Sequence, residues 1–289
     1  MKFLQGLVTN DVNSLSPTIR SQYAAFLNNK GRVVSDVILS MNESDDYLID
    51  CHSDHSKVLN RQLKMYKLRS DVDILDLSET HDVLWSGCDD DTNDDIKRKA
   101  LIVYDDPRAS DLGTRIVVPK TMSSDYEDAA DYESLRFRLG LAEGPEMSNS
   151  VPLEFNLDYL NGVSFRKGCY VGQELTARTH FRGVVRKRCM PCTIRNVESA
   201  ENISVELPRV VKDEVTQKSV GKLLSVITSS KRSSSSSEED VMLGLALIRQ
   251  EQFENRTEDS KWILDGGSSV EVVPQRPMWW VLDSTSTGE

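Results

Sequence analysis

No uninterrupted apolar stretch in the 289 residues approaches the roughly 20 needed to cross a bilayer as a helix. The apolar fraction of 38% beside 28% charged residues is ordinary for a soluble globular chain and too low for a membrane protein. Positive charge is scarce too. Against 46 Asp and Glu stand 35 Lys and Arg, a formal net charge of -11, which argues against general binding to nucleic acid. Five cysteines, odd in number and spread along the chain, give no disulfide framework and point to a reducing compartment. The opening "MKFLQGLVTNDV" has neither a secretory apolar core nor an Arg/Ser-rich transit segment. The expectation is that the protein stays where it is made or that the sequence lacks its true start.

At this length the chain can bury a sizeable core in two or three lobes. The first residues read as a helix with Phe3, Leu4, Leu7 and Val8 on one side. "QYAAFLN" and "RVVSDVILSM" read as strands joined at Asn28, Asn29, Lys30 and Gly31, a hairpin turn, and "YLIDC" follows as a third strand. "HSKVLNRQLKMYKLR" has helical spacing, while "VDILDL", "DVLWSG", "ALIVYDD" and "TRIVVP" read as strands. The acidic run 89–95 reads as a solvated loop. "DYESLRFRLGLAEG" predicts a helix stopped near Gly140. Beyond Met190 short strands and turns predict a small all-β domain. The Ser-rich segment 228–240, between two apolar strands, reads as a flexible insertion at a hairpin tip. No internal repeat is present.

One stretch carries chemistry: "GVSFRKGCYVGQELTART", with Cys169 between Gly168 and Gly172. Glycines allow a tight turn with little steric cover, and cations such as Arg166 and Lys167 near a thiol favour the thiolate. From 162 to 188 there are seven basic residues against one acid, Glu174, a local reversal of the chain's charge that fits an anionic ligand or an acidic partner face. The plainer account is a packed thiol beside a solvated basic face. A catalytic cysteine would need a base; His180 is the nearby histidine in sequence, and His52, His55 and His81 are distant. An iron–sulfur cluster takes about four thiolates or equivalent ligands. Cys189-Met-Pro-Cys192 is a single CxxC, a weak metal signal and more simply two core cysteines. A cluster at Cys169 would be completed by another protein.

"KGCYVGQE", preceded by "GVSF" and followed by "TARTHFRGVVRKR", resembles the signature of the YgfZ-type folate-binding proteins, relatives of the glycine cleavage T-protein. With "PLEFNLDYLNGVSF" and "ELTART" the stretch is most similar to the mitochondrial iron–sulfur cluster assembly branch of that family. The resemblance runs from "FLQGLVTNDV" through "NNKGRVVSDVIL" to "GLALIRQE". It departs from the family in lacking the strand that normally precedes "FLQGL" and in carrying the Ser-rich insertion.

The resemblance implies an α+β fold of three domains in a ring around a central channel. Residues 1–36 and 115–189 would form a discontinuous folate-binding-like domain, 37–114 an inserted α+β domain, and 190–289 a C-terminal β-barrel. It implies a non-enzymatic factor of the mitochondrial matrix that supports maturation of [4Fe–4S] proteins with A-type scaffold proteins. Cys169 would ligate a [2Fe–2S] cluster shared with the scaffold. Lys167, Gly168, Tyr170, Gly172, Gln173 and Glu174 would support the motif, and Arg166, Arg178 and Arg182 would face the partner. A reduced folate, tetrahydrofolate, would sit in the channel against Asp36 and Glu154, whose carboxylate suits paired ring N–H donors; a helix or loop cap is the plainer account of Glu154. The family's acidic pair reads Ser35-Asp36 here, which counts against the alternative, a folate-dependent aminomethyl-type transferase. A third reading, from bacterial relatives, is a helper of sulfur-dependent tRNA modification.

Overall fold

A computed structural model describes residues 2–42, 46–88, 94–123, 129–196, 207–229, 241–257, 259–266 and 270–280. Two compact units divide the chain: Met1–Tyr132 with Glu143–Val185, and Glu133–Ala142 with Arg186–Glu289.

The first unit opens with α1 (Lys2–Gln5), a single turn rather than the longer helix expected, because the chain turns at Gly6 and Leu7 to bridge Val8 to Phe26. Strands β1 (Ser21–Leu27), β2 (Val33–Met41) and β3 (Tyr47–Asp50) form an antiparallel sheet in that order. Between β1 and β2 the Asn28 carbonyl accepts from Gly31 N–H at 2.9 Å, with Gly31 at φ +75°. Helix α2 (Ser56–Lys67) lays Leu59 and Leu63 against Leu4, Leu7, Val8, Phe26, Val37 and Leu39, the core of this sheet.

A second antiparallel sheet is made by β4 (His81–Ser86), β5 (Ile102–Asp105) and β6 (Thr114–Pro119), in the order β4-β6-β5. Ile116 and Val118 pack there with Ile96 of α3 (Asp94–Lys99). The expected strand at "VDILDL" does not form. Its residues lack ladder partners, exposure breaks the alternation at Leu75 and Asp76, and Asp76 accepts instead from Asn60 Nδ2 at 3.1 Å. Helix α4 (Ala130–Leu139) stops where expected, at Gly140 with φ +73°; a Cβ there would strike Pro191. The first unit ends with α5 (Gln173–Arg182).

The second unit holds a closed six-stranded barrel. Strands β7 (Lys187–Arg195), β8 (Arg209–Asp213), β9 (Ser219–Ser229), β10 (Val241–Arg249), β11 (Trp262–Leu264) and β12 (Glu271–Pro274) run in the order β10-β7-β12-β11-β8-β9, with α6 (Gln250–Glu254) after β10. Met190, Cys192, Ile194, Leu223, Trp262 and Val272 fill it. Cys189 and Cys192 are both buried, as two core cysteines should be. Strands β9 and β10 pair antiparallel on either side of the Ser-rich segment. Residues 230–240 themselves, like 89–93 of the acidic run, lie outside the described residues.

Candidate functional site

Cys169 sits on a loop that is laced to the start of the chain. From one end, Asn10 Nδ2 donates to the Asn161 carbonyl at 2.7 Å and Thr9 Oγ1 to the Gly162 carbonyl at 2.6 Å. Ser164 N–H then donates to the Thr9 carbonyl at 3.0 Å, and Val171 N–H to the Gly6 carbonyl at 3.0 Å. Between these ties the Lys167 ammonium donates to three carbonyls, those of Gln5, Val8 and Asn10, at 2.8, 2.7 and 2.7 Å. Its three donors are thus all engaged. The same ammonium lies 5.0 Å from the centroid of the Tyr170 ring, within cation–π range. Burial pulls Lys167 down to about 8, with Asp11 opposing, and pushes Tyr170 up to about 12.

The loop closes into α5 through Gly172, at φ +79° and packed so tightly on the β1–β2 turn that a Cβ would collide with the Asn28 carbonyl and lie 2.9 Å from Leu27 Cβ. Gln173 Oε1 accepts from Tyr170 N–H at 3.2 Å and fixes the last turn before the helix. Gly168 differs: no atom lies within 4 Å of a Cβ built there, and its φ is outside the left-handed region. The tight turn belongs to Gly172 alone.

Cys169 is exposed at the crest of this loop as a free thiol. Arg166, Glu174, Arg178 and Arg182 are also exposed. Lys167 therefore serves the loop's shape, and the cations of this stretch that face solvent include Arg166, Arg178 and Arg182. His180 is not poised as a base on an open cleft; its ring is stacked on Phe165 with centroids 3.6 Å apart.

The two residues assigned to folate stand apart in character. Asp36 is buried in β2, its Oδ1 accepting from Gly144 N–H at 2.9 Å and its Oδ2 from the Tyr23 hydroxyl at 3.4 Å. Burial, with Glu143 adding to it, pushes Asp36 up to about 6. Glu154 is half-buried on the 3-10 turn Pro152–Phe155, where its backbone N–H donates to the Val151 carbonyl. The cavity beside Asp36 measures about 70 Å³ and is lined by Tyr23, Asp50, Cys51, His52, Arg108 and Glu143 among others. Small-molecule pockets run to about 300–1,000 Å³. The cavity at Asp36 is too small for a pteridine ring, and a second cavity in this unit, about 900 Å³ and lined by Pro17, Arg20, Met41, Asn42, Lys97 and Ile102 among others, has neither Asp36 nor Glu154 in its lining.

Around that cavity lies a buried ionic cluster that the sequence reading missed. Arg108 pairs with Asp106 at 2.6 Å and with Glu143; Arg115 pairs with Asp50 at 2.8 Å, Asp106 at 2.9 Å and Glu143 at 3.2 Å. The Tyr132 hydroxyl joins the Glu143 carboxylate and accepts from Arg108 at 2.9 Å. Burial works against the charge on Asp106, yet Arg108 and Arg115 hold its carboxyl below the usual range. One signal was visible: Arg115 inside the otherwise apolar "TRIVVP" strand.

No family model matches the chain. Among curated proteins, the "Iron-sulfur cluster assembly factor IBA57 homolog, mitochondrial" of Neurospora crassa is 36% identical over 250 residues, taking in 75% of this chain and 56% of the relative. "Iron-sulfur cluster assembly factor IBA57, mitochondrial" of Mus musculus is 35% identical over 234 residues, 70% of this chain and 63% of its own. The Homo sapiens protein of that name is 36% identical over 217 residues, 65% and 60%. Among solved structures, the glycine cleavage system aminomethyltransferase T from Bartonella henselae matches with a TM-score of 0.69 at 12% identity, over 97% of this chain and 81% of that one.

The chain belongs to the family of these iron–sulfur cluster assembly factors. It spans a little over half the length of the curated family members it matches. The likeness to the aminomethyltransferase shows the fold, and the fold expected of the family, mixed helices and strands with a C-terminal barrel, is present. The family members above are mitochondrial by name, which agrees with the expected mitochondrial location.

Proposed function

We propose that this protein is an iron–sulfur cluster assembly factor that acts with an A-type scaffold protein in the maturation of [4Fe–4S] proteins, Cys169 being its ligand to a [2Fe–2S] cluster shared with the scaffold. The cluster is cargo in this reading. What carries it is the form of the loop: a bare thiol held at the crest of a segment pinned by Lys167 and by backbone bonds to residues 5–10. A ligand offered to a partner has to be exposed and pre-positioned, because each mobile residue ordered on binding subtracts from affinity. Among the described residues no group of three or more His, Cys, Asp or Glu side chains converges to hold a metal ion. The remaining ligands of a cluster at Cys169 accordingly come from the scaffold. The names and identities of the curated relatives support the same role.

The test is anaerobic gel filtration with absorbance spectroscopy of the chain mixed with an A-type scaffold carrying a [2Fe–2S] cluster. Wild type should co-elute with the scaffold and alter the cluster's absorption, and Cys169→Ser should leave the spectrum as it is in the scaffold alone. Because Cys169 is exposed, the serine variant should keep the wild-type melting temperature within about 2 °C. Identical spectra for the two proteins would sink the proposal.

A further inference from the structure

Beside the thiol loop the first unit presents a cluster of rings, followed two residues after α5 by an exposed valine. Phe165, four residues before Cys169, lies flat against His180 of α5, with centroids 3.6 Å apart and planes 8° apart. Phe181 stands edge-on to both, at 6.1 Å from Phe165 and 4.8 Å from His180. Phe181 is 67% exposed and Val184, just past the end of α5, is 77% exposed. An aromatic ring left this open contributes little to folding, whereas rings of this kind surrounded by arginine are the usual anchors of protein interfaces. Arg166, Arg178 and Arg182 supply that surround, all three exposed.

We infer that Phe165, His180, Phe181 and Val184 form the apolar centre of a docking surface whose occupant is an acidic protein face carrying aliphatic side chains. This rests on the assembly-factor reading and deepens it: affinity resides in the ring cluster and its arginines, while Cys169 holds cargo. The sign of the charge selects the occupant. A second copy of this chain would bring net charge -11 but also the same basic patch, so the two patches would repel face to face. Single-stranded RNA is the other ligand that rings and arginines can serve, and the chain's overall charge disfavours it. Arg182 in the last turn of α5 also suits the helix dipole, but that accounts for neither Phe181 nor Val184.

The experiment measures binding of the full chain to the apo A-type scaffold by calorimetry at 50 and 500 mM salt. Wild type and Cys169→Ser should bind alike, within twofold, since no cluster is present. The double variant Phe181→Ser/Val184→Ser should bind at least tenfold more weakly at both salt concentrations, its fold checked by circular dichroism. Arg178→Gln/Arg182→Gln should weaken binding at 50 mM salt and flatten the salt dependence. Wild-type affinity in the Phe181/Val184 variant overturns the docking surface and leaves the role of Cys169 standing. Absence of wild-type binding to the apo scaffold overturns the docking surface, and the cluster-loaded gel filtration above decides the role of Cys169 separately. Displacement of the scaffold by a single-stranded RNA oligomer also overturns the choice of an acidic protein face.

Discussion

Gly168 and Gly172 flank the same cysteine and are not equivalent. At Gly172 an L side chain would have to adopt φ +79°, which costs about 1–2 kcal/mol, and its Cβ would press on Asn28 and Leu27 besides. At Gly168 the space is open. Urea unfolding should therefore show Gly172→Ala destabilised by at least about 2 kcal/mol, with Gly168→Ala within about 0.5 kcal/mol of wild type. Equal losses at the two sites would mean that the turn is shared between them. From the sequence the two glycines looked interchangeable, because spacing records that a glycine is present but not which backbone region it occupies. Arg115 is a similar case: a cation in an apolar strand is visible in sequence, but its partners Asp50, Asp106 and Glu143 come from three separate places in the chain.

Among the elements, those whose evidence is local were legible. The β1–β2 hairpin was visible in the alternation of its strands and its Asn-Asn-Lys-Gly turn, β6 in "TRIVVP", and the end of α4 in Gly140. "VDILDL" is rich in apolar residues but has no neighbouring strand to complete a ladder, and a neighbour cannot be read from the segment itself. The lacing of the thiol loop to residues 5–10 was hidden for the same reason, since its bonds span roughly 150–160 positions. Lys167 is the strongest single tie. Lys167→Met should leave the Gln5, Val8 and Asn10 carbonyls without their donor and destabilise the chain by about 2 kcal/mol. It should also raise amide hydrogen exchange at Val171 and Ser164, whereas Arg166→Ala, on an exposed side chain, should change neither. Unchanged exchange in the Lys167 variant would show that the backbone bonds suffice.

For the whole molecule, the class of fold came from the family resemblance of the motif, whereas the change of texture near Met190 was legible in the residues themselves, and the barrel bears out that change. The ionic core of the first unit makes stability depend on pH. Asp36 titrates near 6 in the folded state against 3.8 as its ordinary value, because burial and Glu143 disfavour its charge. The folded protein therefore binds this proton more tightly than the unfolded chain does. The stability it contributes is fully present below about pH 3.8 and is lost as the pH rises through about 6. The change is on the order of 3 kcal/mol. Asp36→Asn, neutral throughout and still able to accept from Gly144 N–H, should be more stable than wild type at pH 7.5, with the advantage shrinking toward pH 4.5. Urea melts at the two pH values check this, and a difference that stays constant between them would refute it.

The lacing of the thiol loop has a practical corollary. Because residues 5–10 and the loop bearing Cys169 are held by one set of bonds, they have to come apart as one event. Cys189 and Cys192 are sealed in the barrel and Cys51 is half-buried, so Cys88 is the other thiol open to solvent. With Cys88 changed to serine, a fluorophore on Cys169 becomes a clock for the breathing of the chain's first ten residues. Its emission would record how often, and for how long, that seam stands open.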